Sequence, residues 1–434
     1  MSALAVGLIG VGALLAAIFA RVPIAIALAA TGLLGYAAVD GWATALRMIG
    51  SVPFELARAY SLSVVPLFIL MGAVASRAEM SRELFEAANA IFSGFRGALA
   101  NATIGACAAF GSICGSSIAT AATFSRVAIP EMRRHGYDGG FAGGCVASAG
   151  TLGILIPPSV ILAIYSIAAE QSLPKLFAAA LLPGLLLAAL YVATVALIAR
   201  ARPHLAPRVP PMPLGARLRS GRGLWKLALL FFFAVVGIYL GWFSPTEAAA
   251  VAAFAAIVIA FATRTLGWRG LLEALLETAY TTAMIFFIVA GAFIFSRFIV
   301  LTQVPNELAR WVQAVGLPPL AILGAVIALY FLLGTFLEEV STILITVPVI
   351  LPLVTGIGYD GVWFGIFVTV MATIGLVSPP TGLTVFVIQA QNPDIPVGRL
   401  YRGTLAFVAA DFVLVGLLVA FPALALWLPA ALRM

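Results

Sequence analysis

The chain has 434 residues, of which 63% are hydrophobic and only 9% charged, with a net charge of +7. Soluble domains carry about 25% charged residues, so this composition excludes a water-soluble enzyme and calls for hydrocarbon as solvent, where a spanning helix needs roughly 20 mostly apolar residues. The basic residues sit in short loops between apolar runs, which excludes a nucleic-acid footprint and follows the positive-inside rule for membrane loops.

In chain order, residues 1–20 are apolar and no charge precedes Arg21. A secretory signal has a positive start, so a retained first helix is expected. About ten to twelve such apolar segments follow one another. They are apolar all round, and lipid forces backbone groups to be satisfied internally, so the expected fold is all-α and polytopic. The run Gly111-Ser112-Ile113-Cys114-Gly115-Ser116-Ser117 interrupts the first half. It is flanked by apolar stretches that loop charge puts on one side of the membrane. This predicts a re-entrant hairpin over 95–132 whose tip carries Ser112, Ser116 and Ser117, with Thr120 one turn on. A small-residue packing face is the plainer reading of Gly111 and Gly115. Arg133-Arg134-His135 then marks a cytoplasmic turn. Within 139–169, Thr151-Leu152-Gly153-Ile154-Leu155-Ile156-Pro157-Pro158-Ser159 predicts a broken helix, because paired prolines remove donors and clash with the preceding turn. A span over Leu176–Ala199 follows and completes the first unit, 1–199.

Residues 200–226 hold Arg200, Arg202, Arg208, Arg217, Arg219, Arg222 and Lys226, with no acid. This stretch is expected as a cytoplasmic linker. The second unit, 227–434, opens with Lys226–Leu240. Ser244-Pro245-Thr246-Glu247 then has the form of a capping box opening the span Ala248–Ala262. A second hairpin is expected over 317–354, with Leu333-Gly334-Thr335-Phe336-Leu337-Glu338-Glu339 at its tip. A second broken helix is expected over 361–391, around Thr373-Ile374-Gly375-Leu376-Val377-Ser378-Pro379-Pro380-Thr381, followed by an apolar segment over Thr404–Leu428. Cys107, Cys114 and Cys145 lack paired spacing and only His135 and His204 accompany them, so neither a transition-metal site nor a disulfide framework is expected.

The two units are copies. An offset of 222 residues carries Pro23 onto Pro245, Thr120 onto Thr342 and Pro130 onto Pro352. It also carries Gly136-Tyr137-Asp138 onto Gly358-Tyr359-Asp360 and Pro157-Pro158 onto Pro379-Pro380, while Ala59-Tyr60 matches Ala279-Tyr280 at 220. Internal repeats are typical of secondary transporters. The counterpart of the Arg-rich turn, Thr355-Gly356-Ile357, carries no basic residue. Loop charge therefore predicts that the two units are inverted across the membrane.

Hairpin tips meeting broken helices supply two kinds of group. Freed carbonyls and hydroxyls are hard ligands for Na⁺, and half-helix N-termini attract an anion. The expected cation ligands are Gly111, Ser112, Gly115, Ser116, Thr151, Gly153 and Pro157 in the first unit, and Gly334, Thr335, Glu338, Thr373, Gly375 and Pro379 in the second. The expected substrate contacts are Ser117, Thr120, Pro158, Ser159, Glu339, Thr381 and Gly382. A charge at mid-depth costs about 2.5–3.5 kcal/mol on insertion scales, which makes Glu338 and Glu339 functional candidates, with Asp411 and Glu131 behind them. The absence of a catalytic base pattern or a phosphate-binding loop argues against an intramembrane enzyme or a primary pump.

The run Gly111-Ser112 to Gly115-Ser116-Ser117-Ile118-Ala119-Thr120, then Ile129-Pro130-Glu131-Met132 and Gly136-Tyr137, resembles the large membrane subunit of tripartite ATP-independent periplasmic (TRAP) transporters. So do Ala147-Ser148-Ala149-Gly150-Thr151 through Pro157-Pro158-Ser159, Ser244-Pro245-Thr246-Glu247-Ala248 and Ser378-Pro379-Pro380-Thr381-Gly382. The resemblance covers the whole chain. It implies an elevator carrier of the bacterial inner membrane, driven by a Na⁺ gradient and importing organic acids such as dicarboxylates, keto acids or sialic acid. It also implies two partners: a small four-helix membrane subunit encoded by a separate polypeptide, and a periplasmic substrate-binding protein. The family commonly carries one acid at the second tip, usually Asp; two Glu stand here, and either one can align. A stand-alone ion-coupled carboxylate carrier would use the same broken-helix chemistry.

Overall fold

The computed structural model describes residues 2–434, and the fold is all-helical, with no β-strand among the described residues. Among the described residues, six helices are long and apolar enough to cross a membrane: Tyr60–Arg77, Leu173–Ala201, Pro245–Ala262, Trp268–Leu301, Glu339–Gly356 and Val397–Ala420. Gly139–Leu155 and Val160–Ala168 form a further span bent by 47°. The remaining apolar segments are shorter helices, such as Ala3–Phe19, Ile24–Asp40, Ala98–Cys114, Pro319–Gly334 and Gly361–Val377. Glycine and proline divide several of the ten to twelve apolar runs into such shorter helices. The expected segment Thr404–Leu428 is one such case: helix Val397–Ala420 stops and Ala423–Ala431 begins after Phe421-Pro422, where proline has no N–H to continue the ladder. Leu8, Phe19, Leu197 and Phe254 project outward, as on a surface that meets lipid. The exposed Trp42, Trp225, Trp242 and Trp268 lie at or just beyond helix ends, where indole rings suit the headgroup region.

Local chemistry sets the helix starts. Ser244 accepts from Glu247 N while the Glu247 carboxylate accepts from Ser244 N at 2.7 Å, so the capping box closes as the sequence reads. The repeated Gly-Tyr-Asp tripeptide opens the two broken helices. Asp138 accepts from Phe141 N at 2.9 Å, and Asp360 accepts from Val362 N at 2.7 Å. The helices that follow, Gly139–Leu155 and Gly361–Val377, match residue for residue at the 222 offset, as do Ser117–Arg134 and Glu339–Gly356.

Ala98–Cys114 and Ser117–Arg134 fold back on each other. The rings of Phe110 and Phe124 are 5.6 Å apart, and Thr103 lies 3.7 Å from the Met132 sulfur, so the pair is an antiparallel hairpin turning at Gly115 and Ser116. Gly115 has φ of 62°, a conformation that glycine takes without a Cβ penalty. In the second half, Pro319–Gly334 and Glu339–Gly356 pair likewise, with the Tyr330 and Thr346 hydroxyls 2.5 Å apart.

Each hairpin crosses its own broken helix glycine on glycine. A Cβ built on Gly153 would stand 2.8 Å from Gly111 Cα, and one on Gly375 would strike the Gly334 carbonyl. Helices in hydrocarbon gain little from burying apolar surface, so close backbone approach through small residues is what holds such a crossing.

The scaffold around these elements is tied by two ion pairs that cross between the halves. Arg77 pairs with Glu277, and Arg297 pairs with Glu55. Glu55 and Glu277 are 222 residues apart and Arg77 and Arg297 are 220 apart, so each pair is the image of the other. Apolar packing repeats the pattern. A Cβ on Gly143 would strike Leu400, whereas one on Gly365 would meet Leu176 at 2.9 Å along with Tyr165. Each broken helix thus packs on the long helix that follows the other one. The basic stretch 200–226 lies over this frame rather than free of it. Lys226 is buried and holds Glu83 at 2.7 Å, and Arg217 donates to the Ser93 carbonyl at 3.3 Å.

Two outcomes follow. Gly375→Val should lower the melting temperature of the purified protein, at a cost of about 1–3 kcal/mol for overpacking, while Gly416→Val, which meets nothing within 4 Å, should leave it unchanged; equal effects would refute the crossing. Arg297→Glu should destabilise the protein by facing Glu55 with a like charge, and Glu55→Arg added to it should restore the melting temperature.

Candidate functional site

The two hairpin tips converge on one cavity of about 380 Å³. Hairpin one supplies Cys114, Gly115, Ser116, Ile118 and Ala119. Hairpin two supplies Glu338, Glu339 and Val340, and the half-helix after the first break supplies Val160 and Ile161. The opposite wall is scaffold, with Gly72 and Ser76 from one helix and Glu277, Thr281 and Met284 from another. Small-molecule sites typically measure about 300–1,000 Å³, so the space suits a compact organic solute.

Helix starts define the tip on each side. Ser116 caps Ser117–Arg134 by accepting from Ala119 N at 3.3 Å, and Ser159 caps Val160–Ala168 by accepting from Leu162 N at 3.3 Å. Both helices therefore point their positive ends toward the cavity. Glu338 occupies the same capping position before Glu339–Gly356, where its carboxylate accepts from Ser341 Oγ at 2.8 Å. Ser117 and Glu339, related by the 222 offset, are neighbours. Glu339 is 8% exposed, and among the described residues neither its Oε2 nor the Ser117 hydroxyl has a hydrogen-bond partner.

Behind the tips, the hydroxyls named from sequence repeat one geometry. Ser112 donates to the Ala109 carbonyl at 2.7 Å and Thr335 to that of Leu332 at 2.8 Å. Thr151 donates to the Ser148 carbonyl at 2.7 Å and Thr373 to that of Val370 at 2.6 Å. Each spends its hydrogen on its own helix and keeps oxygen lone pairs for another ligand. The breaks lie against the tips. Gly115 packs on the Pro158 carbonyl, and Thr381 donates to the Thr335 carbonyl. Several carbonyls freed by the breaks already have donors: Ser159 Oγ serves Ile154 at 2.5 Å, and Thr384 Oγ1 serves Leu376 at 2.8 Å.

Of the residues singled out from sequence, Gly115, Ser116, Glu338 and Glu339 line the cavity. Gly111, Gly153, Gly334 and Gly375 form the two backbone crossings. Ser117, Thr120, Pro157, Pro158 and Ser159 are buried behind the first tip. Thr381 and Gly382 stand at the second break beside Pro379 and Pro380, which are exposed, unlike their counterparts. Asp411 is fully buried, away from any surface, and accepts from Tyr191 Oη at 2.6 Å. Glu131 faces Arg134 at 3.5 Å, outside the cavity. Sequence reasoning missed the scaffold wall, Ser76, Glu277 and Thr281. The available signal was an acid inside an apolar span whose repeat counterpart is also an acid, Glu55.

Comparison with known proteins identifies the family and the fold. The chain is 38% identical over 386 residues to a C4-dicarboxylate TRAP transporter large permease protein of Pseudomonas aeruginosa, covering 88% of this chain and 90% of that one. It is 32% identical over 374 residues to a sialic acid TRAP transporter large permease protein of Vibrio cholerae, covering 85% and 86%. The fold is shared with the Alcanivorax borkumensis YdaH transporter at a TM-score of 0.62 and 16% identity, over 88% of this chain and 89% of that one. The family model described as "Tripartite ATP-independent periplasmic transporter, DctM component" matches residues 11–424, and the chain belongs to that family of membrane transport proteins.

Proposed function

We propose that this subunit imports an organic acid by Na⁺ symport across the bacterial inner membrane, with substrate delivered by a periplasmic binding protein and with a small four-helix subunit as membrane partner. The observation that carries the reading is the convergence of both hairpin tips and a half-helix start on one cavity against the scaffold. Positive helix ends at Ser117 and Val160 offer a place for a substrate carboxylate. The relatives' names, which specify a C4-dicarboxylate and sialic acid, favour a carboxylate as well.

Na⁺ binds where hydroxyl oxygens and main-chain carbonyls meet without competing donors. Ser112 and Thr151 stand beside the Gly111 and Gly153 crossing; Thr335 and Thr373 stand beside that of Gly334 and Gly375. Glu338 adds a carboxylate to the second set. The two halves lie inverted across the membrane, with 200–226 in the cytoplasm, so the two cation sites flank the substrate from opposite ends. The hairpins and broken helices move together against the scaffold, as in an elevator, because the glycine crossings join each tip to its own broken helix.

The central test is uptake of radiolabelled organic acids into proteoliposomes holding this subunit and its small partner, with and without binding protein and an inward Na⁺ gradient. Uptake that needs both supports the reading. Uptake by this subunit alone points to a stand-alone carrier, and no uptake under any gradient refutes transport of this class. In the same assay Ser117→Ala and Glu338→Gln should each reduce Na⁺-driven uptake by about tenfold or more, the loss expected for one charge-assisted contact, with membrane insertion retained. Undiminished uptake in both would remove the site assignment.

A further inference from the structure

The first cation set and Asp411 each lack what the other has. Ser112 and Thr151 supply hydroxyl oxygens but no carboxylate, whereas Glu338 stands with the second set. Asp411 lies fully buried in Val397–Ala420. Its Oδ1 accepts from Tyr191 Oη at 2.6 Å, and among the described residues its Oδ2 has no hydrogen-bond partner. A buried carboxylate without a positive partner is costly, and so is a buried cation without a negative one.

Packing brings the two together. A Cβ on Gly140 would stand 2.8 Å from the Arg399 carbonyl and one on Gly144 would strike Gly403, so Gly139–Leu155 runs along Val397–Ala420 in the same direction. Ser148 and Thr151 continue that face of the first helix, and Phe407 and Asp411 that of the second, at the three- and four-residue spacing of a helix face. Tyr191 comes in from Leu173–Ala201. Its ring lies 5.3 Å from that of Phe407, and Thr151 is the neighbour of its hydroxyl. Tyr191 spends its hydrogen on Asp411, and Thr151 spends its own on the Ser148 carbonyl at 2.7 Å. Two neighbouring hydroxyl oxygens are thus left with lone pairs and no hydrogen between them, which a cation relieves. The Ser148 hydroxyl, one turn away on the same face, has no partner either.

Resting on the Na⁺ reading, we infer that the first cation site reaches back to Tyr191 and takes its negative charge from Asp411: Na⁺ bound at Thr151 sits beside the Tyr191 oxygen, and Asp411 neutralises it one side chain further on. Each site then has one carboxylate, Glu338 in the second and Asp411 in the first. The acid of the first site comes from the other half. The offsets of 220 and 222 that relate the halves carry Asp411 onto Tyr191 and Ala189, so the second site has no copy of it.

The test is the Na⁺-dependent rise in melting temperature of the purified large and small subunits together, titrated with ionic strength held by K⁺. Thr373→Val leaves the first site to be read alone, and Thr151→Val the second. In the Thr373→Val protein, Asp411→Asn, which still accepts from Tyr191, should raise the half-effective Na⁺ concentration about tenfold or more, as for one charge removed at close range in a dry interior. In the Thr151→Val protein the same change should shift it by less than about twofold. Tyr191→Phe keeps the ring against Phe407 and should raise the first-site value about threefold, which decides the matter if Asp411→Asn does not fold. No shift in either variant, or an equal shift in both backgrounds, overturns the inference and would mean that Asp411 carries a proton or serves the fold alone. Stabilisation of the wild type by Na⁺ then leaves the Na⁺ reading standing, whereas a wild type that Na⁺ stabilises no more than K⁺ overturns both.

Discussion

Two hairpins can each sit on a broken helix only because both partners lack side chains where they cross. At Gly111 on Gly153, and at Gly334 on Gly375, main chain meets main chain. A methyl group at Gly111, Gly153 or Gly375 would strike backbone of the facing helix, which no rotamer change relieves. In water, burial of apolar surface around the crossing supplies the driving force. In hydrocarbon it does not, and the contact must come from packing at close range. The crossings also bring unsatisfied helix ends together. The ends of Ala98–Cys114 and Ser117–Arg134 lie beside the Pro158 carbonyl, and Thr335 lies beside Thr381. Ligand groups therefore gather at the same points as the packing.

Much of this was legible in the sequence because it is local. Two adjacent prolines break a helix wherever they occur. Gly-Tyr-Asp begins one in each half, and Ser244-Pro245-Thr246-Glu247 closes its capping box without help from the rest of the chain. The all-helical fold and the family follow from such signals together with composition. The scaffold wall was not legible for a corresponding reason. Glu277 faces the cavity only because Trp268–Leu301 runs alongside Tyr60–Arg77, and nothing near Glu277 in the chain records that neighbour. The split of Thr404–Leu428 at Pro422 was a local signal that the apolar composition of the segment masked.

The crossed ion pairs explain how one duplicated unit makes a scaffold. If Arg77 holds Glu277, duplication supplies Arg297 and Glu55 at the mirrored positions automatically, and a twofold relation brings them together. A head-to-tail arrangement of the halves would satisfy one pair and strand the other. The presence of both pairs therefore follows from the duplication rather than from either helix alone. Gly143 against Leu400 and Gly365 against Leu176 likewise hold each broken helix to a long helix of the other half, Val397–Ala420 and Leu173–Ala201.

Symmetry of backbone has not kept symmetry of chemistry. Ser116 and Ser117 in the first tip correspond to Glu338 and Glu339 in the second, so the 222-residue offset relates two hydroxyls to two carboxylates. Pro157 and Pro158 are buried, whereas Pro379 and Pro380 face outward. A site with identical halves would bind a substrate equally well in two reversed orientations. Two hydroxyls at one tip and two carboxylates at the other remove that equivalence. The duplicated fold supplies the position of the site, and the divergence of four tip residues supplies its direction.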